Sequence, residues 1–212
     1  MGERRQSSSA KHFMKSMPKI PGLLMLLLCF PGVGAGQTGG REVRVVMVTE
    51  KGKIEIALDA KDAPMTTANF LHYVDAGLYN GGVFHRTVKP GNQPDNPIKI
   101  EVIQGGINPA RAKEDGAPIA LERTSKTGLK HLNGTISMAR DGPDTATSDF
   151  FICIGDQPSL DYGGKRNPDG QGFAAFGRVI RGMDVVRAIQ NAPADGQTLT
   201  PPVRILKVYR AD

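Results

Sequence analysis

The chain has 212 residues, 27 of them basic and 21 acidic, for a formal charge of +6, with two cysteines and no tryptophan. This length bounds the fold to one domain or a small two-domain protein. Two cysteines exclude a disulfide-stapled scaffold, and the basic surplus is concentrated near the N-terminus, so it is no footprint for nucleic acid.

That first segment reads as an export signal. "MKSMPKIPGLLMLLLCFPGVGAGQ", from Met14, places Lys15 and Lys19 before an apolar stretch at 20–30 and then small residues, the order of a secretory signal peptide. Cleavage is expected after Ala35, with Met14 or Met17 as alternative starts. The apolar stretch is well short of the roughly 20 residues that cross a bilayer, so no stable membrane insertion is expected after cleavage. Cys29 follows Leu28 and not a small residue, which argues against lipidation. Residues 1–35 hold five Lys/Arg and one acid, leaving the remainder near +2, and only Cys153 survives cleavage. Residues 36–42 read as a short polar leader and 43–212 as one domain, long enough for a single buried core.

Within it, "REVRVVMVTEKGKIEIALD" reads as two strands around a turn at Glu50-Lys51-Gly52, with Val46, Val48, Ile54, Ile56 and Leu58 at period two. "DAPMTTANFLHYVDAG" switches to helical spacing: Asp62 as cap, Pro64 in the first turn, Gly77 as the stop. Met65, Ala68, Leu71 and Val74, with Phe70 nearby, form its predicted buried stripe. Strand-like runs follow at 82–88, 99–104, 135–139, 149–154, 175–180 and 204–208, separated by loops rich in Gly, Pro and Asn. A second helix is predicted over 182–192, with Val185, Val186 and Ile189 apolar. Many short strands with two helices point to a closed barrel or sandwich.

His72, His85 and His131 stand at no metal-ligand spacing, and Ser137 and Ser148 lack a nucleophile elbow. Arg86 is different. It shares one face of an alternating run with Phe84 and Val88, and a guanidinium among apolar neighbours needs acceptors. Spacing leaves two readings open: an ion pair on a barrel surface, or a site residue served by Gln104, which precedes a Gly pair that lets the backbone turn closely.

The strings "VFHRTV", "VIQGG", "GTISMAR", "SDFFICIG" and "FGRVIRGMDVVRAI", in this order and spacing, resemble the cyclophilin family of peptidyl-prolyl cis/trans isomerases over about residues 43–210. The resemblance implies a mainly β fold, a closed eight-stranded antiparallel β-barrel capped by two α-helices. It implies an enzyme without cofactor or metal that acts as a monomer on proline-containing polypeptides. Arg86 matches the family's catalytic arginine and Gln104 its supporting glutamine. Phe151 and Leu160, with Val102 where Met is usual, match the pocket that grips the proline ring, and Ala139 matches the groove wall. Phe151 and Leu160 can equally be read as plain core residues.

The exported form resembles periplasmic cyclophilins of Gram-negative bacteria, which implies a periplasmic protein serving the folding of exported chains. Several positions depart from the pattern. Glu101 stands where an aromatic pocket residue is common and is expected to compete with substrate for Arg86. Phe173 stands where a His or Tyr often lines the groove. Arg140 and Asp149 replace Asn and Gln and are expected to pair across the site. Cys153 shares strand parity with Asp149 and Phe151, which puts an unpaired thiol on the groove side; the other reading is a buried inert thiol. The rival function is a proline-peptide binding module or holdase on the same fold, which Glu101 favours.

Overall fold

The computed structural model describes residues 42–211; the predicted signal segment, its cleavage point and most of the polar leader lie outside them. In chain order the elements are β1 (Val43–Thr49), β2 (Gly52–Leu58), α1 (Pro64–Asp75), β3 (Val83–Val88), β4 (Val102–Gly106), the single turn α2 (Thr124–Thr127), β5 (Thr135–Met138), β6 (Phe150–Cys153), β7 (Ala174–Arg181), α3 (Met183–Gln190), β8 (Ala194–Asp195) and β9 (Thr198–Ala211). The strands run in the order β1-β2-β7-β5-β6-β4-β3-β9, and β9 returns to pair with β1. Eight antiparallel strands thus close into a barrel, and β8 is a short arm hairpinned onto β9.

Closure turns the period-two pattern into an inside and an outside. Val45, Met47, Ile54, Ile56, Ile103, Ile136, Phe150, Ile152 and Phe176 are fully buried and fill the interior. Phe70 of α1 adds to an aromatic cluster, 5.0 Å from Tyr79 and edge-on to Phe150 at 5.6 Å. α3 lays Val185, Val186 and Ile189 against the barrel, as its spacing predicts.

α1 differs from its sequence reading. Asp62 caps nothing; the free N–H groups of Met65 and Thr66 are taken by the Glu122 carboxylate at 3.1 and 2.8 Å, an anion at a helix N-terminus supplied from far along the chain. The buried face is also rotated. Thr66 and Thr67 are inside while Met65 and Ala68 are exposed. The threonine hydroxyls tolerate burial because they donate to Glu122 and to the Asp59 carbonyl. β9 starts six residues before its predicted position. Pro201 and Pro202, which have no N–H to give a ladder, fall in the stretch that β9 leaves unpaired with β3.

A second apolar layer lies outside the barrel. Val88, Ile100, Val102, Phe151, Cys153 and Leu160 pack together on the outer face of β3, β4 and β6, with Ala139 and Phe173 against them. This layer is the floor of a cleft.

Candidate active site

The cleft holds about 500 Å³ and is lined by Arg86, Ile100, Val102, Gln104, Ala139, Arg140, Asp149, Phe151, Leu160 and Phe173, together with Asp115, Asp141, Thr145, Thr147, Arg166 and Asn167. A larger surface concavity of about 720 Å³, bordered by Leu58, Asp59, Leu129, Leu132 and Arg178, contains none of the predicted site residues.

Arg86 reaches this cleft because β3 is bulged. Phe84 pairs with Gly105 and Arg86 with Gln104, so His85 is an extra residue opposite no partner. A bulge bends its strand and re-aims the side chains beyond it. Phe84 therefore points into the barrel core, while Arg86 lines the cleft and Val88 packs in the apolar layer beneath it. The alternation that puts Phe84 and Arg86 on one face is broken at that residue.

The guanidinium is held by amide oxygens alone. Nη1 donates to Gln104 Oε1 at 3.1 Å, and Nε and Nη2 donate to Gln197 Oε1 at 2.9 and 2.6 Å. Each glutamine is oriented from its other end. Gln104 Nε2 donates to the Asp149 carboxylate at 3.1 Å, and Gln197 Nε2 to the Asn92 carbonyl at 3.0 Å, so both oxygens turn to Arg86. Three of the five guanidinium donors are used, and burial lowers the pKa of Arg86 from its ordinary value without bringing a carboxylate to neutralise it. Asp149 sits close to β4 because residue 106 is glycine; a Cβ there would collide with its carboxylate. Burial raises the Asp149 pKa, opposed by the nearby His85 and by the bond from Gln104.

Phe151 is fixed from two sides. Phe173 meets it edge-on at 5.2 Å, and the buried His131 ring stacks behind it at 5.9 Å. His131 lies between Asp161, 2.8 Å from Nδ1, and Ser137, 3.0 Å from Nε2. A carboxylate only accepts, so Nδ1–H donates to Asp161, while Nε2 and the Ser137 hydroxyl share the second hydrogen bond. Burial alone would raise the Asp161 pKa, but the bonds from the His131 ring and backbone hold it below the usual range.

Residues 44–210, which carry this barrel and cleft, match the family model described as cyclophilin type peptidyl-prolyl cis-trans isomerase/CLD. The chain belongs to the cyclophilins. It is 38% identical over 152 residues to peptidyl-prolyl cis-trans isomerase A of Dickeya dadantii, covering 71% of this chain and 73% of that one. It is 36% identical to a peptidyl-prolyl cis-trans isomerase of Acinetobacter baylyi over 77% of this chain and 83% of the relative. Among solved structures, a cyclophilin type peptidyl-prolyl cis-trans isomerase of Cryptosporidium parvum superposes with a TM-score of 0.65 at 24% identity, over 81% of this chain and 98% of that one. The closed eight-stranded barrel is the cyclophilin-like fold.

Two expectations about this cyclophilin's cleft are corrected. Glu101 does not face it. Val102 and Gln104 line the cleft, so the residues between and before them have the opposite parity, and the Glu101 carboxylate accepts from Gln190 Nε2 at 2.9 Å at the end of α3. Ile100 occupies the cleft wall instead, and Glu101 does not compete for Arg86. Arg140 and Asp149 also do not pair. Ala139 lies opposite Asp149 in the backbone ladder, and Arg140 turns to the far loop, where it takes Asp169 in two bonds at 2.8 and 3.0 Å, caps the Gly172 carbonyl, and lies 5.1 Å over the Phe173 ring. It braces the pocket wall by that route.

Cys153 does lie in the cleft-floor layer, but fully buried, and burial pushes its thiol pKa well up. A small alkylating reagent is expected to leave it untouched in the native protein and to label it on denaturation, as intact mass before and after urea will show.

Gln197, Ile100 and the His131–Asp161–Ser137 layer have no counterpart in the sequence reading. Gln197 follows the turn "ADG", and only its position beside β3 gives it meaning. As a positioning residue it is expected to matter for rate more than binding: Gln197→Ala removes two of the three bonds that hold Arg86 and should lower kcat about threefold to tenfold, with KM little changed, in exchange NMR on an X-Pro peptide.

Proposed function

We propose that the cleft isomerises X–Pro bonds with Arg86 as the catalytic cation and Val102, Phe151 and Leu160 as the seat of the proline ring. Cyclophilins are peptidyl-prolyl cis-trans isomerases and act on proline-containing peptides. The observation that carries the assignment of roles is the half-buried guanidinium, held only by neutral oxygens beside an apolar floor.

The chemistry asks for little more. The X–Pro amide rotates over a barrier of about 18–20 kcal/mol because it is conjugated. Twisting ends the conjugation and leaves a basic lone pair on the prolyl nitrogen. A fixed cation beside that nitrogen stabilises the twisted amide more than either planar form. A hydrogen bond to a charged group contributes about 1.5–3 kcal/mol, whereas an acceleration of ~10⁶ requires about 8 kcal/mol. The remainder falls to the pocket, which holds the ring while the preceding carbonyl turns, and to Ala139, which leaves room for the chain along the groove. The displacement of Glu101 from the cleft removes the feature that favoured a binding module without catalysis.

The basic-then-apolar leader supports a further reading, that the protein works in the periplasm of a Gram-negative bacterium on exported chains. Protease-coupled assay of purified protein on several X-Pro peptides tests the activity; binding without acceleration would leave a binding module. Mass spectrometry of envelope protein tests the export, with an N-terminus near Gly36 expected and a cytoplasmic chain starting at Met1 refuting it.

A further inference from the structure

The cleft contains a second guanidinium that isomerisation does not require. Arg166 belongs to the segment between Leu160 and β7 and lines the cleft together with Arg86. Its Nη1 donates to Gln93 Oε1 at 2.8 Å and to the Ile98 carbonyl at 2.6 Å, both in the 89–98 loop. Its own backbone N–H is tied to the Ser159 carbonyl at 3.1 Å. The socket is built, not incidental. Gln93 is only 2% exposed, and its Nε2 donates to the carbonyls of Lys89 and Ile100, which turns Oε1 to Arg166. One loop thus shapes a seat for a residue of another.

A seat made to hold a strut would ordinarily supply a carboxylate, the acceptor that fits a guanidinium best. This one supplies neutral oxygens only. Two of the five donors are used, both on Nη1, and Nε and Nη2 have no protein acceptor among the described residues. Burial lowers the Arg166 pKa from its ordinary value, and the charge of Arg86 lowers it further. The carboxylates of the same cleft have other partners. Asp115 accepts from Tyr73 and Thr147, Asp149 accepts from Gln104 and faces His85, and Asp141 also lines the cleft. None of them bonds to either guanidinium.

Two cations line one cleft, and neither is bonded to a carboxylate of the protein, which leaves that anion to the ligand. We propose that Arg166 is a specificity-determining residue, selecting with Arg86 those peptides that carry a carboxylate beside the isomerising proline. The inference rests on the isomerase reading of the cleft. The carboxylate has two sources: an acidic side chain directly after the proline, or the free C-terminus of a chain that ends in proline.

The test uses exchange NMR and calorimetry on four peptides, Ala-Ala-Pro-Glu-amide, Ala-Ala-Pro-Gln-amide, Ala-Ala-Pro with a free C-terminus and Ala-Ala-Pro-amide, with wild type, Arg166→Gln and Arg166→Lys. For wild type, kcat/KM is expected to favour the carboxylate member of at least one pair by roughly threefold to tenfold, and the preference should shrink as salt rises. Arg166→Gln should bring that ratio to about one whatever it does to the shared rate, and Arg166→Lys should retain part of it. The pair that shows the preference identifies the source of the carboxylate. Ratios near one for wild type in both pairs, or a preference that survives Arg166→Gln, overturn the inference. A purely structural strut would lower all four rates together and leave the ratios alone. If no peptide is accelerated, the isomerase reading fails, and calorimetry still reads the charge preference independently.

Discussion

Arg86→Ala is expected to lower kcat/KM by one to two orders of magnitude or more, since it removes about 1.4–3 kcal/mol of stabilisation from the twisted amide. Folding should survive. Arg86 is half-buried at a cleft and bonds to two glutamine amides, whose other ends remain anchored on Asn92 and Asp149. Arg86→Lys keeps the charge but loses the planar fork that lets one side chain engage both glutamines, so it should recover only part of the rate. Exchange NMR with thermal melts separates loss of chemistry from loss of fold. Wild-type activity in Arg86→Ala would refute the mechanism.

Phe151→Ala should have the second-largest effect, and a different one. The ring is 4% exposed and packs with Val102, Cys153 and Leu160, so truncation should cost about 3–5 kcal/mol of stability. It also removes the wall held between His131 and Phe173. The proline ring then lies loosely, and kcat/KM should fall by roughly tenfold or more, about 1.4 kcal/mol, chiefly through KM. His131→Ala checks the cause: the wall remains but its backing is gone, so KM should move less than in Phe151→Ala although the protein is destabilised. Equal KM values for Phe151→Ala and wild type would remove Phe151 from the pocket and leave it a core residue.

How far the sequence carries can be seen at individual residues. The strands at 43–58 were legible as strands, but the inner face of the first was not: its period was read on Val46 and Val48, whereas Val45 and Met47 are the fully buried pair, and in β6 all four residues are buried, so no alternation marks it. Arg86 and Gln104 were legible as a pair. What pointed Arg86 outward was not, because a bulge at His85 depends on the partner strand and leaves no mark on the run "VFHRTV". The misreading of Glu101 has a related origin: counting along the chain aligned it with the pocket, whereas strand parity gave that place to Ile100. Arg140 and Asp149 were brought near one another as expected, but a long side chain chooses among acceptors, and Asp169 offered two-pronged geometry. Gln197 lies 111 residues from Arg86 in the chain, beyond anything that local spacing can register.

The closed barrel has a consequence for the company such a protein keeps. An isomerase meets chains that are still unfolded, with backbone N–H and C=O groups seeking partners. A sheet with a free edge would invite them to add a strand, and binding would become templated aggregation. Here β9 pairs with β1, and the ring of eight strands leaves that invitation unmade. On the proposed reading, the substrate is met on the outer wall, through a ring-sized apolar seat and a cation, a contact that would read a single residue and its neighbour and leave the rest of the visiting chain free to find its own fold.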